Sequence, residues 1–77
     1  MRKMKIDDAL LKQYRSTAKE NMMRYHAFIK HDDLEDVFAS MRSNGYKPII
    51  ENQFMLIFAK FNKELRVLQV TTCEFED

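Results

Sequence analysis

Two histidines, one cysteine and a short acidic run are the side chains in this sequence with the chemistry of a reactive site. His26 and His31 stand five apart, with Asp32 and Asp33 beside the second. A metal-binding helix uses an i, i+4 pair to bring both rings to one face, and a step of five does not do this. The run HDDLED lacks the glycine and the alternating oxygen ligands of a calcium loop. Its acids read instead as the charged first turn of a helix, where carboxylates favour the positive end of the dipole. Cys73 has no basic neighbour in sequence to hold it as thiolate, so it reads as a small apolar side chain. The single glycine, Gly45, leaves no glycine-rich loop to cradle a phosphate. The expectation is a chain that is not an enzyme and carries no metal and no cofactor.

A second constellation is basic. Lys5, Lys12, Arg15 and Lys19 fall at steps of seven, three and four, along one side of a helix, and Arg2 and Lys3 extend the row. Such a row can neutralise phosphates, which makes nucleic-acid binding the alternative reading of function. Asp8 and Glu20 dilute it, and the downstream strands lack the glycine and aromatic pattern of an RNA-reading sheet. The simpler reading is a solvated helix face. Six methionines add adaptable apolar surface, with Met22 and Met23 beside Tyr25 serving either a core or a partner groove.

The elements that would position these residues follow from periodicity. Asp32 with Glu35 three residues on resembles a capping box, and Leu34, Val37, Phe38 and Met41 form one apolar stripe. Arg42 suits the last turn and Gly45 the left-handed position beyond it, so a helix spans about residues 33–44. Upstream, Leu11, Tyr14, Ala18, Met22, Tyr25 and Ile29 keep a helical stripe, and one helix over residues 7–30 is the first expectation. The segment MRYHAFI, from Met23, also alternates as a strand would. The fold expected is therefore α+β, two helices packed on a three-stranded antiparallel sheet in the order ααβββ. If residues 23–29 form a strand, the order becomes αβαβββ. The sheet strands are expected at residues 46–51, 53–61 and 64–72, with Pro48 favouring an edge and Asn62 and Lys63 a tight turn. The tail CEFED reads as a strand end fraying into solvent.

Composition bounds the whole. A chain of 77 residues with 45% hydrophobic and 32% charged side chains reads as one globular domain over residues 1–77. At this size roughly 60 to 65% of the unfolded chain's surface is buried, near the limit for independent stability. One cysteine allows no internal disulfide, which leaves association as the available reinforcement. The formal net charge of +1 supplies no field that selects a partner by itself. No apolar run approaches the ~18 residues of a membrane span, and the start MRKMKIDD lacks the apolar centre of a signal peptide. A cytoplasmic protein without a membrane partner is expected.

The stretch QFMLIFAKF then sets the functional expectation. As a strand it sends Phe54, Leu56 and Phe58 to one side and Met55, Ile57 and Phe61 to the other. If both helices lie on one face, the other set stays bare and marks a protein interface at Phe54, Met55, Leu56, Ile57, Phe58 or Phe61. The alternative is that the helices wrap far enough to cover both faces. The expected function is a small non-enzymatic protein-protein interaction module, a self-associating homodimer that regulates, inhibits or adapts a larger protein. Its economy would suit an accessory protein of a phage or mobile element.

Overall fold

The computed structural model describes residues 5–77. Its main elements are α1 (Asp8–Ser16), β1 (Met22–Ile29), α2 (Leu34–Ser43), β2 (Lys47–Glu51), β3 (Met55–Asn62) and β4 (Val67–Phe75), with 3-10 turns at Lys19–Asn21 and His31–Asp33. The class is α+β, in the order αβαβββ. Two details of the expectation are corrected: the sheet has four strands rather than three, and it is mixed rather than purely antiparallel.

The long first helix does not form, and its N- and C-terminal contacts give the reason. Asp7 caps the start, its Oδ1 accepting from the amide of Leu10 at 3.0 Å. At the other end the hydroxyls of Ser16 and Thr17 both donate to the carbonyl of Gln13, at 3.2 and 2.6 Å. Thr17 itself is extended, with φ −83° and ψ 132°. Side chains that bond the preceding turn offer the backbone an alternative to helix, and the chain takes it here. After one 3-10 turn, MMRYHAFI is free to follow its period of two and becomes β1.

The strand order is β1-β4-β3-β2. β4 pairs antiparallel with β3 and β3 antiparallel with β2, while β1 lies parallel to β4. It follows that β1 and β2 run in the same direction at opposite edges, joined through α2. The β3-β4 ladder is unbroken from Met55↔Glu74 to Asn62↔Val67. No bulge separates Val67 from Leu68, and β4 is two-sided like β3. The turn between them is longer than expected, with Asn62 Oδ1 holding the amide of Leu65 at 3.0 Å and Arg66 in the left-handed region at φ 55°. The C-terminal residues do not fray: β4 runs to Phe75, and the amide of Glu76 donates to the carbonyl of Ile29 at 2.9 Å.

The helices lie on opposite faces. Leu10, Leu11 and Tyr14 of α1 pack with Ile49, Ile57, Ala59, Leu68 and Val70. Leu34, Val37, Phe38 and Met41 of α2 pack with Leu56, Phe58 and Cys73. Phe58, Ile49, Leu56, Leu68 and Val70 are almost wholly removed from solvent, each contributing about 1.5–3 kcal/mol of burial. The expectation of one bare sheet face is thus corrected: a helix for each side covers the centre of both.

Candidate interaction surface

Among the described residues the longest exposed run lies along the outer edge of β1. In a parallel pair, alternate residues turn both backbone groups toward the partner strand and the rest turn both away. The bond from Glu76 to the Ile29 carbonyl fixes the phase, because it places Ile29 among those facing β4. By alternation Met23, Tyr25 and Ala27 face β4 as well, and Arg24, His26 and Phe28 point their N–H and C=O groups away from the sheet. Among the described residues no strand lies beyond them.

The side chains here are as open as the backbone. Residues 24–28 are exposed in an unbroken run, with Tyr25 at 45% and Phe28 at 62% of full exposure. Tyr25 and Ala27 stand on the α2 side, and Arg24, His26 and Phe28 on the α1 side. The latter side is open because α1 is short. A helix of nine residues is about 13 Å long, whereas a nine-residue strand reaches about 30 Å. Beyond the end of α1, His26, Phe28, Thr72, Glu74 and the partly buried Met55 share the uncovered half of that face, as the β1-β4-β3 register shows.

Two histidine-carboxylate pairs fasten β1 to the chain after it. His26 Nε2 lies 2.9 Å from Glu74 Oε1, and the imidazole meets Phe28 edge to face with centroids 4.8 Å apart. His31 Nδ1 lies 2.6 Å from Asp77 Oδ1, the His31 amide donates to the same carboxylate, and the ring stacks on Phe75 at 3.9 Å. The hydrogen bond from the His31 ring, ahead of lesser contributions, holds the Asp77 carboxyl below its usual range. Cys73 moves the other way, since burial raises its thiol and keeps it protonated. Among the described residues no group of three His, Cys, Asp or Glu side chains is placed to hold a metal ion. No helix among them is long and apolar enough to cross a membrane.

The structure separates the residues that the sequence put forward for contact. Leu56, Ile57 and Phe58 are 1%, 7% and 1% exposed and are used up in the two cores, so a partner cannot reach them while both helices stay in place. Phe54, at 64%, and Phe61, at 42%, remain open at opposite ends of β3, with Met55 intermediate. Phe54 is presented by an Asx turn in which Asn52 Oδ1 accepts from the amides of Phe54 and Met55 at 2.8 and 3.0 Å.

The basic residues keep their exposure but not a single helix face, because α1 holds only Lys12 and Arg15, with Lys5 before it and Lys19 in the 3-10 turn that follows. Lys5, Lys12, Arg15 and Lys19 are all solvent-facing, while Arg2 and Lys3 lie outside the described residues. Arg24 joins Arg15 and Lys19, lining a shallow groove with Tyr14, Thr17 and Met22. Sequence reasoning missed Arg24 because the helical reading of MRYHAFI set it on a different surface. The alternation within that segment was the signal that could have found it.

No protein-family model matches this chain, and no curated protein or solved structure does.

Proposed function

We propose that this chain is a non-enzymatic protein-protein interaction module, cytoplasmic and made of a single domain, that works by strand addition at β1 as a regulator, inhibitor or adaptor of a larger protein. The observation carrying the proposal is the unbroken exposed run at residues 24–28, with the backbone groups of Arg24, His26 and Phe28 turned outward. Such an edge is a template for another extended strand: the main chain supplies affinity and the alternating side chains supply selectivity. Tyr25 and Phe28 are the anchors on the two sides, with Met55 extending the α1-side surface.

The test is a comparison of two baits. Arg24→Pro removes one outward N–H and leaves the β1-β4 ladder whole, because that N–H does not face β4. Proteins held by the wild-type chain and lost by Arg24→Pro, at equal melting temperature, support strand addition. An identical set on both baits, or none on either, overturns it.

A second reading has its own observation. Arg24 of β1 gathers with Arg15 of α1 and Lys19 of the turn between them around the groove beside Tyr14. A nucleic-acid contact there would follow counterion release and weaken steeply with salt. Lys12, Arg15 and Lys19 changed together to Glu should then abolish binding of DNA or RNA at low salt. The absence of binding by the wild-type chain under those conditions removes this reading.

A further inference from the structure

We infer that the occupant of the β1 edge is a second copy of this chain, paired antiparallel strand to strand, so that two four-stranded sheets continue as one of eight strands. The inference rests on the strand-addition reading above and names its partner. A two-fold axis perpendicular to the sheet sets residue opposite residue on the same face. It brings the outward groups of Arg24, His26 and Phe28 in one copy against the same set in the other.

Charge selects the direction. The beginning of the β1 edge is basic, carrying Arg15, Lys19 and Arg24 against a single acid, Glu20. Its far end is acidic, carrying Asp32, Asp33, Glu76 and Asp77 against Lys30 and His31. Antiparallel pairing sets the basic end of each copy against the acidic end of the other, and does so twice. Parallel pairing would set like against like at both ends, a costly arrangement.

Side chains select the register. With His26 on the axis, Arg24 lies opposite Phe28, where a guanidinium can rest on the exposed ring. Tyr25 then lies opposite Ala27, and Met23 opposite Ile29. Sliding by one pleat either way sets Arg24 against His26 or against Lys30, replacing a cation-ring contact with a pair of basic groups. The two His26 rings meet at the axis, each with the Glu74 carboxylate 2.9 Å from Nε2.

The test uses the full chain alone in solution, by sedimentation equilibrium at tens of micromolar. A dimer is expected for the wild type, and Arg24→Pro should weaken its dissociation constant by about tenfold or more with little change in the melt. A charge swap then reads the direction. A chain with Lys19→Glu and Arg24→Glu is acidic at both ends of the edge, and one with Asp32→Lys and Glu76→Lys is basic at both. Each should be monomeric alone, and an equimolar mixture should restore a dimer. A wild type that is monomeric throughout overturns the inference, leaving the bait comparison to judge strand addition by other proteins. A dimer unaffected by Arg24→Pro, swapped chains that each dimerise alone as strongly as the wild type, as parallel pairing would allow, or a mixture of them that does not associate, overturns it too.

Discussion

The two edges of this sheet are built differently. The β2 edge is five residues long, contains Pro48, and shifts register between Pro48 and Ile50. Its Pro48 carbonyl is taken by the amide of Asp7 at 3.0 Å, and Lys47 reaches the Asp7 carboxylate at 3.6 Å. Shortness, proline, a bulge and an overlying segment are the devices by which edges are kept from pairing with other chains. The β1 edge uses none of them: eight residues in regular register, without proline, lie open to solvent over most of their length. One fold that blunts one edge and leaves the other bare gives the bare edge a different standing. The contrast supports reading β1 as a surface meant for pairing.

The sharpest way to break that comparison is to move proline from the blunted edge to the open one. Tyr25→Pro removes an N–H that faces β4, and the loss of a ladder bond inside the sheet should cost about 3 kcal/mol of stability. Arg24→Pro, one residue earlier, removes only an outward N–H and should cost about 1 kcal/mol or less. Urea unfolding of the two variants gives the difference directly. Equal losses would mean that the outward and inward phases of β1 are not those derived from the Ile29-Glu76 bond.

Next in size is the removal of what blunts β2. Asp7→Ala takes away the cap on Leu10 and the contact to Lys47, and should destabilise the chain by about 1–2 kcal/mol. Most of this comes from the cap, because the Lys47 contact is exposed and surface ion pairs of that kind are weak. An Asp7→Asn variant keeps a capping oxygen and should recover most of the loss. If Asn recovers nothing, the ion pair outweighs the cap.

The same contrast explains what could be read in advance. Helix α2 was legible because its first-turn acids, one apolar stripe and Gly45 at φ 83° agree over a short span, although its N-cap is Asp33 rather than Asp32 and makes no side-chain capping bond. The β2-β3-β4 meander was legible from its change of period. β1 was not, because MRYHAFI satisfies a helical stripe and a strand alternation at once, and Thr17 decides between them by a local bond to Gln13. The placement of helices on opposite faces is a tertiary property that no single element records. Its trace lay in β3 and β4, since strands apolar on both sides belong in the middle of a sheet covered on both sides. The stretch QFMLIFAKF was therefore a report of a third layer, with the unsatisfied surface at the sheet's margin instead.

A smaller effect is expected between the open edge and the core. Gln69 of β4 stands beside Met23 and Lys60, with its Nε2 only 3.9 Å from the Met23 sulfur and its buried Oε1 without a partner among the described residues. A buried oxygen left unpaired costs more than an apolar atom of the same shape. Gln69→Met should therefore stabilise the chain by about 0.5–1 kcal/mol in urea unfolding. Because Gln69 belongs to β4, the substitution should leave any association at the β1 edge unchanged. A loss of stability would mean that the amide is satisfied by water.

The smallest effect concerns the fastening at the far end of β1. The Asp77 carboxyl is held below its usual range by the His31 ring, so the folded state favours the charged form relative to the unfolded chain. A depressed carboxyl contributes stability that is fully present above its unfolded pKa of about 3.9 and is lost as pH falls through the lower folded value. Asp77→Asn keeps an oxygen near the His31 amide but removes the charge. The gap in unfolding free energy between wild type and Asp77→Asn should thus be open near pH 6 and close toward about pH 2, with the wild type losing stability faster on acidification. Both groups are exposed, so added salt should narrow the gap at any pH where it is open. A gap that is constant with pH would assign the Asp77 contact to hydrogen bonding alone. The fastening of β1 would then be independent of charge, unlike the pairing inferred for its other side.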